Sequence, residues 1–217
     1  MATVPHTEAA APAIAIPAEE PVAVAGFSGG NPQILGLPIF AVGSLALAFS
    51  LVGYVPATAA GIVVPVIFAA TGVGLVISTL WAVALGQTMV ASVFGLFAGF
   101  WLSFAILLLG LFHNWFLIPA GAANKSVALF LISWSIVFFA LTLATVRLPV
   151  SYTAVIALVV LALVLRTIGV LNADTSLDKA AGYVVFVFAA LGIYLFLHIA
   201  DTAMGGRGYP LGPPLIK

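Results

Sequence analysis

From Asn31 onward, apolar runs of bilayer-crossing length alternate with short polar or glycine- and proline-bearing breaks. A helix rises about 1.5 Å per residue, so about 20 apolar residues cross the hydrocarbon layer. The first run covers Ile34 to Gly53 and ends at Tyr54-Val55-Pro56; the second spans Ala59 to Leu85, carries Pro65, and stops at Gly86-Gln87. The third, Met89 to Leu111, leads into His113-Asn114-Trp115, an aromatic-bearing interface. After the break from Pro119 to Lys125 come a fourth run, Val127 to Val146, closed by Arg147 and Pro149, and a fifth, Tyr152 to Leu171. Asn172 to Lys179 is the most polar break, and the sixth run is Ala180 to Ile199. The pattern predicts an all-α membrane protein, a six-helix transmembrane bundle over residues 31–202; one re-entrant run would reduce the count to five.

Composition changes the picture only by excluding alternatives. Of 217 residues 64% are hydrophobic and 6% charged, whereas an average soluble domain carries about a quarter charged residues. The formal net charge is zero, which gives no footprint for nucleic acid; the lipid bilayer is the expected partner. There is no cysteine, no metal-ligand cluster, no HExxH, Walker or GxSxG motif, so no enzyme, cofactor or metal is expected. Residues 1–30 are Ala- and Pro-rich with Glu8, Glu19 and Glu20 and no Lys or Arg, and read as a disordered tail; residues 203–217 read as a C-terminal tail. An even number of spans places both termini on one side. With that side cytoplasmic, inner segments hold Arg147, Arg207 and Lys217 and outer ones Lys125 and Lys179, as the positive-inside rule asks. A plasma membrane, or the inner membrane of a bacterium, is the expected location.

Few residues break the apolar rule. Arg166 lies inside the fifth run, where an ionisable group is either functional, snorkelling, or paired at a helix end. His198 and Asp201 are three apart and share a helix face, as a proton-linked pair or as a solvated interfacial one. Ala91, Gly95 and Gly99 recur every four residues and form a ridge for close helix packing; Gly72 and Gly74 act similarly in the second run. Phe97 and Trp101 lie one turn apart beside that ridge, able to project together between helices or simply to pack. Asn31 and Pro32 are placed to start the first helix, and a helix start can also attract a carboxylate.

The string Asn31-Pro32-Gln33-Ile34-Leu35-Gly36-Leu37 resembles the NPAPLGL signature opening the first helix of the acetate uptake transporter family, the YaaH-like succinate–acetate permeases. Asn31, Pro32, Leu35, Gly36 and Leu37 agree. The stretch from Phe94 to Ala105, with Phe97, Phe100 and Trp101, is similar to the third-helix pattern, Phe97 standing at the usual Tyr. The ending YPLGPP, Tyr209 to Pro214, resembles the family's Leu-Pro-Leu-Gly. The resemblance implies a six-helix fold assembling as a homo-oligomer, a hexamer. Each protomer would have its own path for acetate or related mono- and dicarboxylates such as succinate, moved as a proton-linked symport or through a channel. It also implies that Asn31 with its neighbouring backbone receives the carboxylate, and that Phe40 and Phe97, with Trp101 beside them, form a constriction. A Leu or Val near Val159 would complete that constriction. Leu75 and Ala82 stand where the family's second helix carries Gln and Glu. That departure keeps open a path for another small neutral solute, or a scaffold subunit that transports nothing.

Overall fold

The structure, a computed structural model, describes residues 29–217. The predicted tail therefore lies outside the described residues except for its last two positions. Six helices among the described residues are long and apolar enough to cross a membrane. They are α1 (Gln33–Leu51), α2 (Ala57–Ala84), α3 (Thr88–Phe112), α4 (Ala120–Ala144), α5 (Val150–Asn172) and α6 (Thr175–Ala203). The six-helix bundle read from the apolar runs is the observed architecture, and no run is re-entrant.

Two boundaries differ from the sequence reading, in each case because polar residues lie in or just before a helix's opening turns. Helix α4 starts at Ala120 and not at Val127, with Asn124 and Lys125 in its opening turns behind Pro119. Helix α6 starts at Thr175 and not at Ala180: Asp174 caps it by accepting from the Ser176 N–H at 2.8 Å, and Asp178 occupies the first turn. A helix start leaves backbone N–H groups unpaired and favours negative charge, which Asp174 and Asp178 supply at α6; α4 has no side-chain cap and opens behind Pro119. Asp174 and Asp178 thus belong to a helix start, where a solvated loop was expected.

The helices close into a ring in the order α1, α6, α5, α4, α3, α2. Bare positions allow the close approaches. A Cβ at Gly36 would fall inside the Phe94 ring, one at Gly43 on Thr71, and one at Gly74 would lie 2.7 Å from Ile39. In α2 the chain widens into a π-helical stretch, Val66–Gly72, immediately after Pro65, whose ring and missing N–H disturb the regular ladder. Within that stretch the Thr71 hydroxyl donates to the Ile39 carbonyl of α1 at 3.2 Å. Many other hydroxyls turn onto their own helix, Ser44 to the Phe40 carbonyl and Ser78 to the Gly74 carbonyl among them, which satisfies those donors within the bilayer.

The α3–α4 pair is the exception in the ring. Its backbones approach only sparsely, and Phe100, Phe104, Phe130, Trp134 and Phe138 fill the seam. The Ala91–Gly95–Gly99 ridge serves both neighbours of α3. A Cβ at Gly95 would meet Thr79 of α2 at 3.3 Å, and one at Gly99 would meet Trp134 of α4 at 3.2 Å.

Residues 205–217 run back over the helix ends as a strap. Asp201 accepts from the Gly208 N–H at 2.8 Å, the Tyr194 hydroxyl donates to the Pro210 carbonyl at 2.6 Å, and the Ser151 hydroxyl donates to the Leu211 carbonyl at 2.6 Å. The N–H groups of Leu215 and Ile216 then donate to the Val146 carbonyl.

Candidate functional site

The ring encloses two cavities that meet at one layer of side chains. The larger, about 250 Å³, lies towards the C-terminal ends of α1, α3 and α5, bounded by Leu51, Leu111 and Arg166 among others. The smaller, about 50 Å³, lies towards the opposite helix ends and is lined by Leu37, Phe94, Tyr152 and Leu195. Phe40 and Phe97 line both.

Sequence dictates how this layer is built. Phe40 follows Gly36 by one turn of α1, and its ring lies edge-on to Phe97 of α3 at 4.8 Å and stacked on Phe188 of α6 at 5.7 Å. Gly192, one turn after Phe188, leaves the space into which Phe40 fits; a Cβ there would sit 3.3 Å from the ring. Phe97 rests on Phe138 of α4 at 4.6 Å. Val159 of α5 faces the larger cavity and Val155 the smaller. Trp101, one turn beyond Phe97, is fully buried in the wall of the larger cavity.

Apart from the buried, unpartnered indole N–H of Trp101, polar side chains are confined to the two ends. At the small-cavity end, Asn31 accepts the Gln33 N–H at 3.0 Å and so caps α1, with buried Pro32 as its first residue. The Tyr152 hydroxyl donates to Gln33 Oε1 at 2.7 Å, tying α5 to α1 at the edge of the small cavity. At the other end Ser50 and Arg166 are the polar side chains of the large-cavity lining, and Arg166 forms an ion pair with Asp178 of α6. Between the ends the lining is apolar. Leu75 and Ala82 are fully buried.

The remaining predicted positions have other surroundings. His198 Nδ1 accepts the Tyr209 N–H at 2.9 Å and Asp201 accepts from Gly208, so both hold the strap, and neither lines the two cavities. Leu35 is half-buried, while Gly36 and Leu37 are buried against α3 and the small cavity. Phe188, Phe138, Ser50 and the Gln33–Tyr152 bond were not anticipated. A signal for Phe188 exists: Val185, Phe188, Gly192, Leu195 and Ile199, all buried, recur at spacings of three and four.

Comparison with known proteins gives this geometry a setting. Accumulation of dyads protein 2 of Saccharomyces cerevisiae is 30% identical over 195 residues, 85% of this chain and 65% of that protein. Acetate permease A of Emericella nidulans is 29% identical over 186 residues, 80% of this chain and 62% of that protein. The chain therefore spans a little under two thirds of the length of these relatives. Among solved structures, the bacterial acetate channel SatP superposes with a TM-score of 0.76 at 22% identity, covering 85% of this chain and all of SatP, and so shares the fold. Residues 17–205 match the family described as GPR1/FUN34/yaaH, and this multi-pass membrane protein belongs to it.

Proposed function

We propose that the chain passes acetate and related small carboxylates across the bilayer, along the axis of its own helix ring. One observation carries the reading: a single layer, Phe40 against Phe97, separates two cavities that lie towards opposite ends of the bundle. Relatives named as an acetate permease and an acetate channel supply the substrate class. An apolar layer of this kind closes a path by excluding water, and opens when a ring rotates. A protonated acid crosses it more easily than its anion, since an unpaired carboxylate in an apolar lining loses several kcal/mol of hydration. Flux that rises with an inward proton gradient is therefore part of the reading.

Asn31, already engaged as a cap, would present the carboxylate with the backbone at the start of α1. Arg147, Arg207 and Lys217 gather at that end of the bundle, which supports a cytoplasmic position for both ends of the described chain, in a plasma or bacterial inner membrane. The exposed apolar face of α4, with Leu129, Ile136 and Phe139, would meet lipid or a neighbouring protomer of a hexamer.

A second reading, a small neutral solute, is favoured by the apolar lining between the cavity ends. Uptake of labelled acetate into proteoliposomes, with and without an inward proton gradient, separates the two. Saturable flux above empty vesicles, raised by the gradient and raised further by Phe97→Ala, is expected. Flux equal to that of empty vesicles, from protein shown to be folded, would remove the carboxylate reading.

A further inference from the structure

Arg166 is six residues before the end of α5, about 9 Å of helix from its terminus, yet it is not a lone snorkelling cation. It lines the larger cavity and pairs with Asp178 through Nη1 and Oδ1, with both side chains about a quarter to a third exposed (32% and 24%). The pair is built into the backbone. Gly169, one turn beyond Arg166, stands where a Cβ would collide with the Asp178 carboxylate and approach the Asp174 carbonyl to 3.2 Å. The cap at Asp174 fixes the first turn of α6 that carries Asp178.

A guanidinium offers five N–H donors in a planar fork suited to a carboxylate. Among the described residues the pair with Asp178 is the one ion pair or hydrogen bond of the Arg166 guanidinium, so donors remain for the cavity. Ser50 of α1 lines the same cavity, and its hydroxyl is not turned onto its own helix as those of Ser44 and Ser78 are. Apart from Trp101, whose buried indole N–H has no hydrogen-bond partner, the other side chains of that lining are apolar, which strengthens whatever charge pairing forms there.

We infer that Arg166, assisted by Ser50, docks the carboxylate of the transported acid in the larger cavity. Asp178 occupies the guanidinium when substrate is absent and is displaced from part of it when substrate arrives. This rests on the carboxylate reading above and adds its recognition residue. Val159, which lines the same cavity, precedes Arg166 by seven residues, so a carboxylate docked at Arg166 waits about 10 Å of helix rise beyond Val159. Asp178 competes with the substrate for the same cation, so it sets affinity downward.

That competition gives the two partners opposite signs. In proteoliposomes holding the full chain, Arg166→Gln is expected to raise the acetate KM about tenfold, the equivalent of about 1.4 kcal/mol. Asp178→Asn, which frees the guanidinium, is expected to lower KM about threefold, and Arg166→Lys to fall between wild type and Gln. A pair that only braces α5 against α6 would lose flux alike in both variants, through stability and with KM unmoved; that result overturns the inference while leaving acetate transport standing. Should Arg166→Gln fail to fold, the direction of the Asp178→Asn shift decides alone: a fall in KM supports docking, and no change or a rise overturns it. Absence of acetate flux in the wild-type chain would instead remove both the carboxylate reading and this inference.

Discussion

Gly36 shows how one missing methyl group shapes the path. Its Cβ would fall inside the ring of Phe94, which is buried and lines the smaller cavity just before Phe40 and Phe97. Gly36→Ala must push that ring aside, and overpacking of this kind costs about 1–3 kcal/mol. Thermal unfolding in detergent is expected to show a Tm lower by several degrees, since about 1 kcal/mol moves a domain of this size by about 2–4 °C. An unchanged Tm would mean that the ring swings into the small cavity without resistance. The same reasoning explains why this motif was legible: Asn31, Pro32 and Gly36 do things only those side chains do, a cap, a first turn and a gap. Phe188 carries only a weak mark, its three- and four-residue spacing with Val185, Gly192 and Leu195. The lipid-facing side of α6 is as apolar as its core side, with Phe186 half-buried and Val187 and Leu197 exposed, so the usual contrast between helix faces is absent. Phe97, by contrast, was reachable because small residues flank it.

At the scale of elements, apolar length fixed the six spans, while polar residues at the opening turns hid two of their starts. Asp178, Asn124 and Lys125 read as loop by hydropathy and are helix by geometry, and Asp174 is the cap before α6. The strap over residues 205–217 was read only as a tail, because its partners are backbone carbonyls and N–H groups that leave no pattern in a sequence. His198 is one of the few side chains that anchor it, through the Tyr209 backbone. His198→Ala is expected to cost about 1 kcal/mol, one hydrogen bond, and to speed amide exchange at Tyr209, Leu215 and Ile216 while leaving α1 and α5 unchanged. Exchange mass spectrometry on the intact protein in detergent checks this. Unaltered exchange would show that the bonds to Val146 and Ser151 hold the strap alone. A change in the proton dependence of acetate flux would instead favour the proton-linked reading of His198 with Asp201 over the solvated interfacial one.

In the whole molecule the constriction draws on four helices, and its rings are not equally free to move. Phe40 is packed between Gly192 and Phe188 on α6, against which α1 lies closely. Phe97 leans on Phe138, in the α3–α4 seam where side chains and not backbones make the contact. Aromatic rings can turn past one another with the helices fixed, whereas an interlocked helix pair must separate to release a ring. The seam is thus the compliant side of the ring, and opening is expected to begin by Phe97 turning towards α4. Phe138 is fully buried, and Phe138→Ala leaves a void directly behind Phe97 at a cost of about 3–5 kcal/mol. Per folded molecule, assayed after size exclusion, this variant is expected to raise maximal acetate flux several-fold with KM little changed, because the docking residues proposed above, Arg166 and Ser50, lie elsewhere. Phe138→Trp, which overfills the seam, is expected to lower it. Should both variants match wild-type flux, Phe97 does not open towards α4, and the moving ring is Phe40, with α1 and α6 parting to release it.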